Sequence, residues 1–222
     1  MRLLFPFYLI LLVACGSQKI AKYEDGSVKI TKELGDGGLD SIIKPYKSSM
    51  EEQMNEVIGS SEITLEKYEP ESPLGNFAAE AAYKKGLEIG QNTRALGPNA
   101  MKNSFCLLNF GGLRAPIIKG EITVGDIYEL MPFDNTLVLV KLNGEKMREC
   151  AQYLFAAHGQ PIYNATFRLS SDSEAMTIGG EEYNFDEDVV VITSNYLAGG
   201  GDKMNFFKEP LLKYDAGIFL RD

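Results

Sequence analysis

The chain has almost no histidine: His158 is the only one among 222 residues, and tryptophan is absent altogether. A single imidazole cannot build a facial triad, a paired-histidine zinc site or a histidine-rich two-metal centre. A Ser-His-Asp arrangement could recruit only His158. That residue stands beside Gly159 at the end of a helical stretch, where the dipole and solvent suit a surface role. No Gly-x-Ser-x-Gly turn, no Walker-type loop and no Gly-rich strand-to-helix fingerprint occurs. Basic clusters are missing too. The 22 Lys and Arg against 31 Asp and Glu leave a formal charge of -9, which argues against a nucleic-acid backbone as partner. Cysteine is scarce, with three residues and no Cys-x-x-Cys pair. Beyond Cys15 only Cys106 and Cys150 remain; both lie in apolar stretches and read as buried thiols rather than a disulfide. Repeats and low-complexity core segments are likewise missing. Taken alone, the chain reads as catalytically incomplete.

What is present begins with "MRLLFPFYLILLVAC", one charge at Arg2 followed by an apolar run too short to span a bilayer as a helix. Residues 1–14 are expected to be a secretion signal. Leu12-Val13-Ala14-Cys15 resembles the lipobox of bacterial lipoproteins, which implies acylation of Cys15, a membrane anchor, and a place in the bacterial cell envelope facing the periplasm. An ordinary cleaved signal ending near a cysteine is the alternative. Residues 15–44, polar and without a sustained apolar period, read as a lipid-anchored tether. Residues 45–222, about 180 in number, suit one domain with a real core.

Periodicity predicts a helix over residues 45–58 and a strand at "EITLEKYE". A helix capped by Ser72, with Pro73 in its first turn, is expected to bury Leu74, Phe77, Ala78, Ala81 and Ala82 and to end at Gly86. Strands are expected at "SFCLLN" and "TLVLVKL", and a short helix after Thr123. A helix should bury Met147, Cys150, Ala151 and Leu154 before stopping at His158 and Gly159. "ATFRLS", "AMTI" and "DVVVITS" complete the strands. Strands that come both singly between helices and in consecutive pairs predict an α+β fold, a mixed sheet with helices packed on it.

Three loop segments carry binding chemistry. In "NFGGLR", Gly111 and Gly112 let backbone N–H groups approach a ligand while Asn109 and Arg114 supply donors; a plain glycine turn with a surface arginine explains the segment equally well. "MPFDN" places Phe133 and Asn135 on a Pro-led loop, where an aromatic is usually a core residue. "SNYLAGGGD" sets Tyr196 six positions before Asp202 across Gly200 and Gly201. Two rings on separate loops can sandwich a flat heterocycle, and a carboxylate can accept from both hydroxyls of a ribose.

These segments, with "ESPLGNFAAEAAY" upstream, resemble the C-terminal domain of the 5′-nucleotidase family over nearly all of residues 45–222. The resemblance implies an α+β domain that binds the nucleoside part of a substrate. It implies that Phe133 and Tyr196 stack on the base, that Asp202 holds the ribose hydroxyls, and that Asn109 and Arg114 lie near ribose and phosphate. Asn135 joins them as a binding residue, and Gly111, Gly112, Gly200 and Gly201 shape the loops. Family enzymes place a two-metal phosphoesterase domain ahead of this one, and nothing between residues 15 and 45 encodes it. Pro70 stands where a phosphate-facing Arg is usual, Tyr196 where Phe is common, and Phe110 where Gly or Ser is common. The expectation is the recognition half of a split 5′-nucleotidase, without metal or cofactor of its own, whose divalent metals sit on a separate metallophosphoesterase. The alternatives are a nucleoside-binding lipoprotein for capture or sensing, and a degenerate domain kept as scaffold.

Overall fold

The computed structural model describes residues 37–170 and 173–222. The expected signal, Cys15 and most of the tether lie outside the described residues. Two compact units divide the chain, Met1–Pro45 and Tyr46–Asp222. In chain order the elements are α1 (Gly37–Met54), β1 (Val57–Ser61), α2 (Pro73–Asn92), β2 (Ser104–Leu107), β3 (Gly120–Thr123), α3 (Val124–Leu130), β4 (Thr136–Leu142) and α4 (Gly144–Ala156). There follow β5 (Ile162–Tyr163), β6 (Ala165–Ser170), β7 (Ser173–Ile178), β8 (Glu181–Glu182), β9 (Val189–Ser194), α5 (Asn195–Ala198) and β10 (Leu212–Phe219).

The second unit is an α+β domain around a mixed five-stranded sheet ordered β10-β4-β9-β2-β5. Central β9 reads Val-Val-Val-Ile-Thr-Ser and is buried at every position, as a strand covered on both faces must be. Alternation then sorts the core. Val138, Val140, Val189 and Val191 pack with Met147, Cys150 and Leu154 of α4 on one face. Leu137, Leu139, Val190 and Ile192 pack with Leu74, Ala78 and Ala82 of α2 on the other. Cys106 and Cys150 therefore sit in different clusters as free, fully buried thiols, which burial pushes up out of the ionising range.

Strand directions set where the loops emerge. β2 and β9 run parallel, with Cys106 beside Ile192. β4 runs antiparallel to β9, its Leu137 opposite Ser194. β10 runs antiparallel to β4, ending with Phe219 opposite Thr136. The ends of β2, β9 and β10 and the start of β4 thus share one edge of the sheet.

Several expectations are corrected. The first helix spans Gly37–Met54 rather than residues 45–58, because Leu39, Ile42 and Ile43 continue the spacing of Tyr46 and Met50 upstream of Pro45; residues 37–44, placed in the expected tether, are helical. Val57 and Ile58 belong instead to β1, which pairs with β3. "EITLEKYE" makes only an isolated bridge, Leu65 to Ile117; its apolar Ile63 and Tyr68, on opposite sides of the segment, are both exposed, so neither side is buried along its length. α2 runs past Gly86 to Asn92. A Cβ on Gly86 would lie 2.6 Å from Ile192 and one on Gly90 2.4 Å from Met101, so these glycines mark close packing of a continuing helix. That approach turns α2 so that Phe77 and Ala81 are exposed. Missed altogether were β1, β3, β5, β8 and β10, although β10 alternates half-buried and exposed residues along all eight positions.

Candidate functional site

The segment after β2 is pinned from both sides. Phe110 is buried, its ring against Gly75 of α2, and its N–H donates to Gln160 Oε1 at 3.0 Å. Lys67 Nζ donates to the carbonyls of Phe110 (3.2 Å) and Leu113 (2.8 Å), bracketing the short helical turn Phe110–Gly112. Packing against α2 thus accounts for an aromatic at position 110. This holds Asn109, itself 8% exposed, so that its Nδ2 donates to Asp202 Oδ2 at 2.6 Å. A Cβ on Gly111 would press within 3.1 Å of Asn109 Nδ2 and 3.5 Å of Asp202 Oδ2, which is why bare backbone stands there. Arg114 is exposed, with Nη1 3.4 Å from Gly111 O.

The segment after β9 explains the pairing of aromatic and carboxylate. Ser194 caps α5 through Leu197 N–H, which fixes Tyr196 on the first turn. The chain then bends back through Gly200 (φ 89°), and Asp202 takes a left-handed backbone (φ 49°, ψ 27°). The Tyr196 ring closes onto bare backbone at Gly201, where a Cβ would fall 2.5 Å from Cε1. Its hydroxyl donates to Asp202 Oδ1 at 2.7 Å and accepts from Asp202 N–H at 3.2 Å. Tyr153 of α4 donates to the Asp202 carbonyl at 3.0 Å, securing the bend from the other side.

Between α3 and β4, the third segment exposes Phe133 by 47%, the same fraction as Tyr196. Asn135 O accepts from Leu220 N–H at 2.9 Å, and Thr136 N–H donates to Asn195 Oδ1 at 3.2 Å. Eight of the ten predicted residues line one cavity of about 370 Å³: Asn109, Gly111, Gly112, Arg114, Phe133, Asn135, Tyr196 and Asp202. Gly200 and Gly201 shape the bend that carries Asp202. A larger depression of about 630 Å³, lined by Glu69, Phe155 and His158 among others, contains none of these residues.

A model of the family described as "5′-nucleotidase, C-terminal domain" matches residues 53–209. The chain belongs to that family. This C-terminal-type domain is similar to human 5′-nucleotidase, 26% identical over 180 residues that cover 66% of this chain and 29% of that protein. It is also similar to endonuclease YhcR of Bacillus subtilis, 30% identical over 138 residues, 61% of this chain and 10% of that one. The structure of a 5′-nucleotidase precursor from Thermus thermophilus matches with a TM-score of 0.63 at 23% identity, over 82% of this chain and 38% of that one, a likeness of fold. The chain thus spans well under half the length of each of these relatives.

Within this 5′-nucleotidase C-terminal domain, charge is arranged around Asp202. The hydrogen bond to its carboxylate raises the Tyr196 phenol above the ordinary 10.0. Burial, reinforced by the Asp202 charge, likewise raises Tyr153. Asn109 and Tyr196 each occupy one acceptor direction on separate Asp202 oxygens, and a carboxylate offers about four. Among the described residues no other side chain donates to them, which leaves one direction on each oxygen, the geometry that two adjacent hydroxyls need. Sequence reasoning missed Tyr153, Lys67, Gln160 and Arg221, whose Nη1 donates to the Phe133 carbonyl at 3.0 Å. Lys67 and Gln160 act through backbone atoms and carry no motif, whereas β10, which leads to Arg221, had a period-two signal that was readable.

Proposed function

We propose that this domain binds the nucleoside part of a nucleotide, as the recognition half of a split 5′-nucleotidase whose phosphoesterase half is a separate polypeptide. The base lies between Phe133 and Tyr196, the ribose hydroxyls on Asp202, and the phosphate toward Arg114. The observation that carries this reading is the shared cavity: two half-exposed rings, a carboxylate already oriented by Asn109 and Tyr196, and an exposed guanidinium. Stacking tolerates any base, while the oriented carboxylate selects for a cis-diol.

Among the described residues no group of three or more His, Cys, Asp or Glu side chains fits a metal ion. In the proposed assembly the partner holds the divalent metals, and this domain supplies orientation. A lipid on Cys15 and an envelope location complete the proposal; fatty-acid labelling of the expressed protein should be lost in Cys15→Ser.

Titration of the isolated chain with adenosine tests recognition, and an assay with AMP and Mn²⁺ tests the split. Binding without turnover is expected, and phosphate release by the isolated chain would overturn the split. One observation favours a second reading, a nucleoside-binding protein for capture or sensing: Asp202 is oriented entirely by this chain's own residues. A metal-dependent phosphatase recovered with the protein from native membranes decides for the first, and its absence for the second.

A further inference from the structure

Phe133 stands on a loop, and ordering a loop at the moment of binding subtracts from affinity. The residues that follow β10 show what orders it beforehand. Because β10 ends opposite Thr136, the chain leaving it passes alongside the Phe133 loop. Arg221 Nη1 donates to the Phe133 carbonyl at 3.0 Å, and Nη2 to Asp134 Oδ1 at 2.6 Å. The guanidinium carbon lies 4.7 Å from the ring centroid of Tyr128 on α3 and 4.8 Å from that of Phe219. The Arg221 side chain is 11% exposed, whereas Asp134 is 75% exposed. Among the described residues its buried Nε has no hydrogen-bond partner.

These facts do not describe an ordinary surface ion pair. An exposed carboxylate such as Asp134 contributes little by itself, and leaving a guanidinium donor unpaired in a buried position is unfavourable. What the arrangement achieves is directional. A flat cation packed over two rings, with Nη1 on Phe133 and Nη2 on Asp134, is fixed against two consecutive residues of the loop. We propose that Arg221 is a positioning residue for the nucleoside site: by gripping the Phe133 carbonyl from the end of β10, it holds the ring where the base stacks. This rests on the nucleoside reading above, but the grip on the loop can be measured without any ligand.

The test uses the full chain and two measurements. Amide exchange without ligand should quicken at Leu220 and Thr136, the N–H groups that bond to Asn135 O and Asn195 Oδ1, by about tenfold in Arg221→Gln, while Val138 and Val140 keep their protection. Unchanged exchange at Leu220 and Thr136 would overturn the proposal. Adenosine titration should show Arg221→Gln weakening binding about five- to tenfold, less than the one to two decades expected for losing the ring itself. In a Phe133→Ala background the same change should weaken it no further, because its effect runs through that ring. An equal loss in both backgrounds would mean a general structural role and overturn the proposal. Arg221→Lys, which keeps the charge but not the planar fork, should behave as Arg221→Gln and carries the same test should the glutamine variant not fold. If the wild type itself does not bind adenosine, the nucleoside reading fails while the exchange measurement still decides whether Arg221 holds the loop.

Discussion

Truncating Phe133 to alanine separates recognition from folding. The ring is 47% exposed, so its removal takes only a partial side chain out of the core, costing about 1 kcal/mol against a typical total of roughly 5–15 kcal/mol. The variant should therefore stay folded, with a small fall in melting temperature. Binding should suffer far more. Stacking of a base on an aromatic face contributes ~1–3 kcal/mol, and at about 1.4 kcal/mol per decade the adenosine dissociation constant should rise by one to two decades. Phe133→Leu refines the reading, because leucine keeps apolar area but has no π-face. If stacking is the interaction, it recovers only part of the loss. Calorimetric titration of the three proteins, each checked by thermal denaturation, gives these numbers. Unchanged affinity in Phe133→Ala, together with unchanged affinity in Tyr196→Ala, would refute the placement of the base between the two rings.

Gly111→Ala should weaken adenosine binding severalfold with little change in melting temperature, since its Cβ would crowd Asn109 Nδ2 at 3.1 Å and push the amide off Asp202; titration and thermal denaturation check both halves. Gly86→Ala should destabilise by about 1–3 kcal/mol despite the better helix former, because its Cβ would fall 2.6 Å from fully buried, β-branched Ile192, and chemical denaturation measures it. Adenosine affinity should hold below pH 10 and fall as pH rises through the raised pKa of Tyr196, since only the protonated phenol donates to Asp202. Tyr196→Phe should bind more weakly at lower pH and lack that alkaline step; the same step in both proteins would remove Tyr196 as its cause.

Chemistry was legible in the sequence where it depends on residue type and short spacing. Six positions between Tyr196 and Asp202, bridged by glycines, are close enough along the chain for the ring and carboxylate to meet, and the structure shows them hydrogen-bonded. Thr123 announces a helix start, and with Asp126 it forms a reciprocal capping box. β9 and α4 were readable because a continuous apolar run and an i, i+3, i+4, i+7 stripe are local patterns. Gly86 misled because a glycine that ends a helix and one that lets a helix touch a sheet look the same until Ile192 is in place.

By itself, then, the sequence determined the class of fold, the run that forms its central strand and the three segments whose residues line the cavity. It could not bring those segments together. Asn109, Phe133 and Tyr196 converge because β2 runs parallel to β9 while β4 runs antiparallel to it, so that two strand ends and one strand start fall on the same sheet edge. The same geometry returns β10 to that edge and carries Arg221 to the carbonyl of Phe133, 88 residues earlier in the chain. Strand order and direction are long-range choices made by packing two apolar faces at once, and no local spacing encodes them.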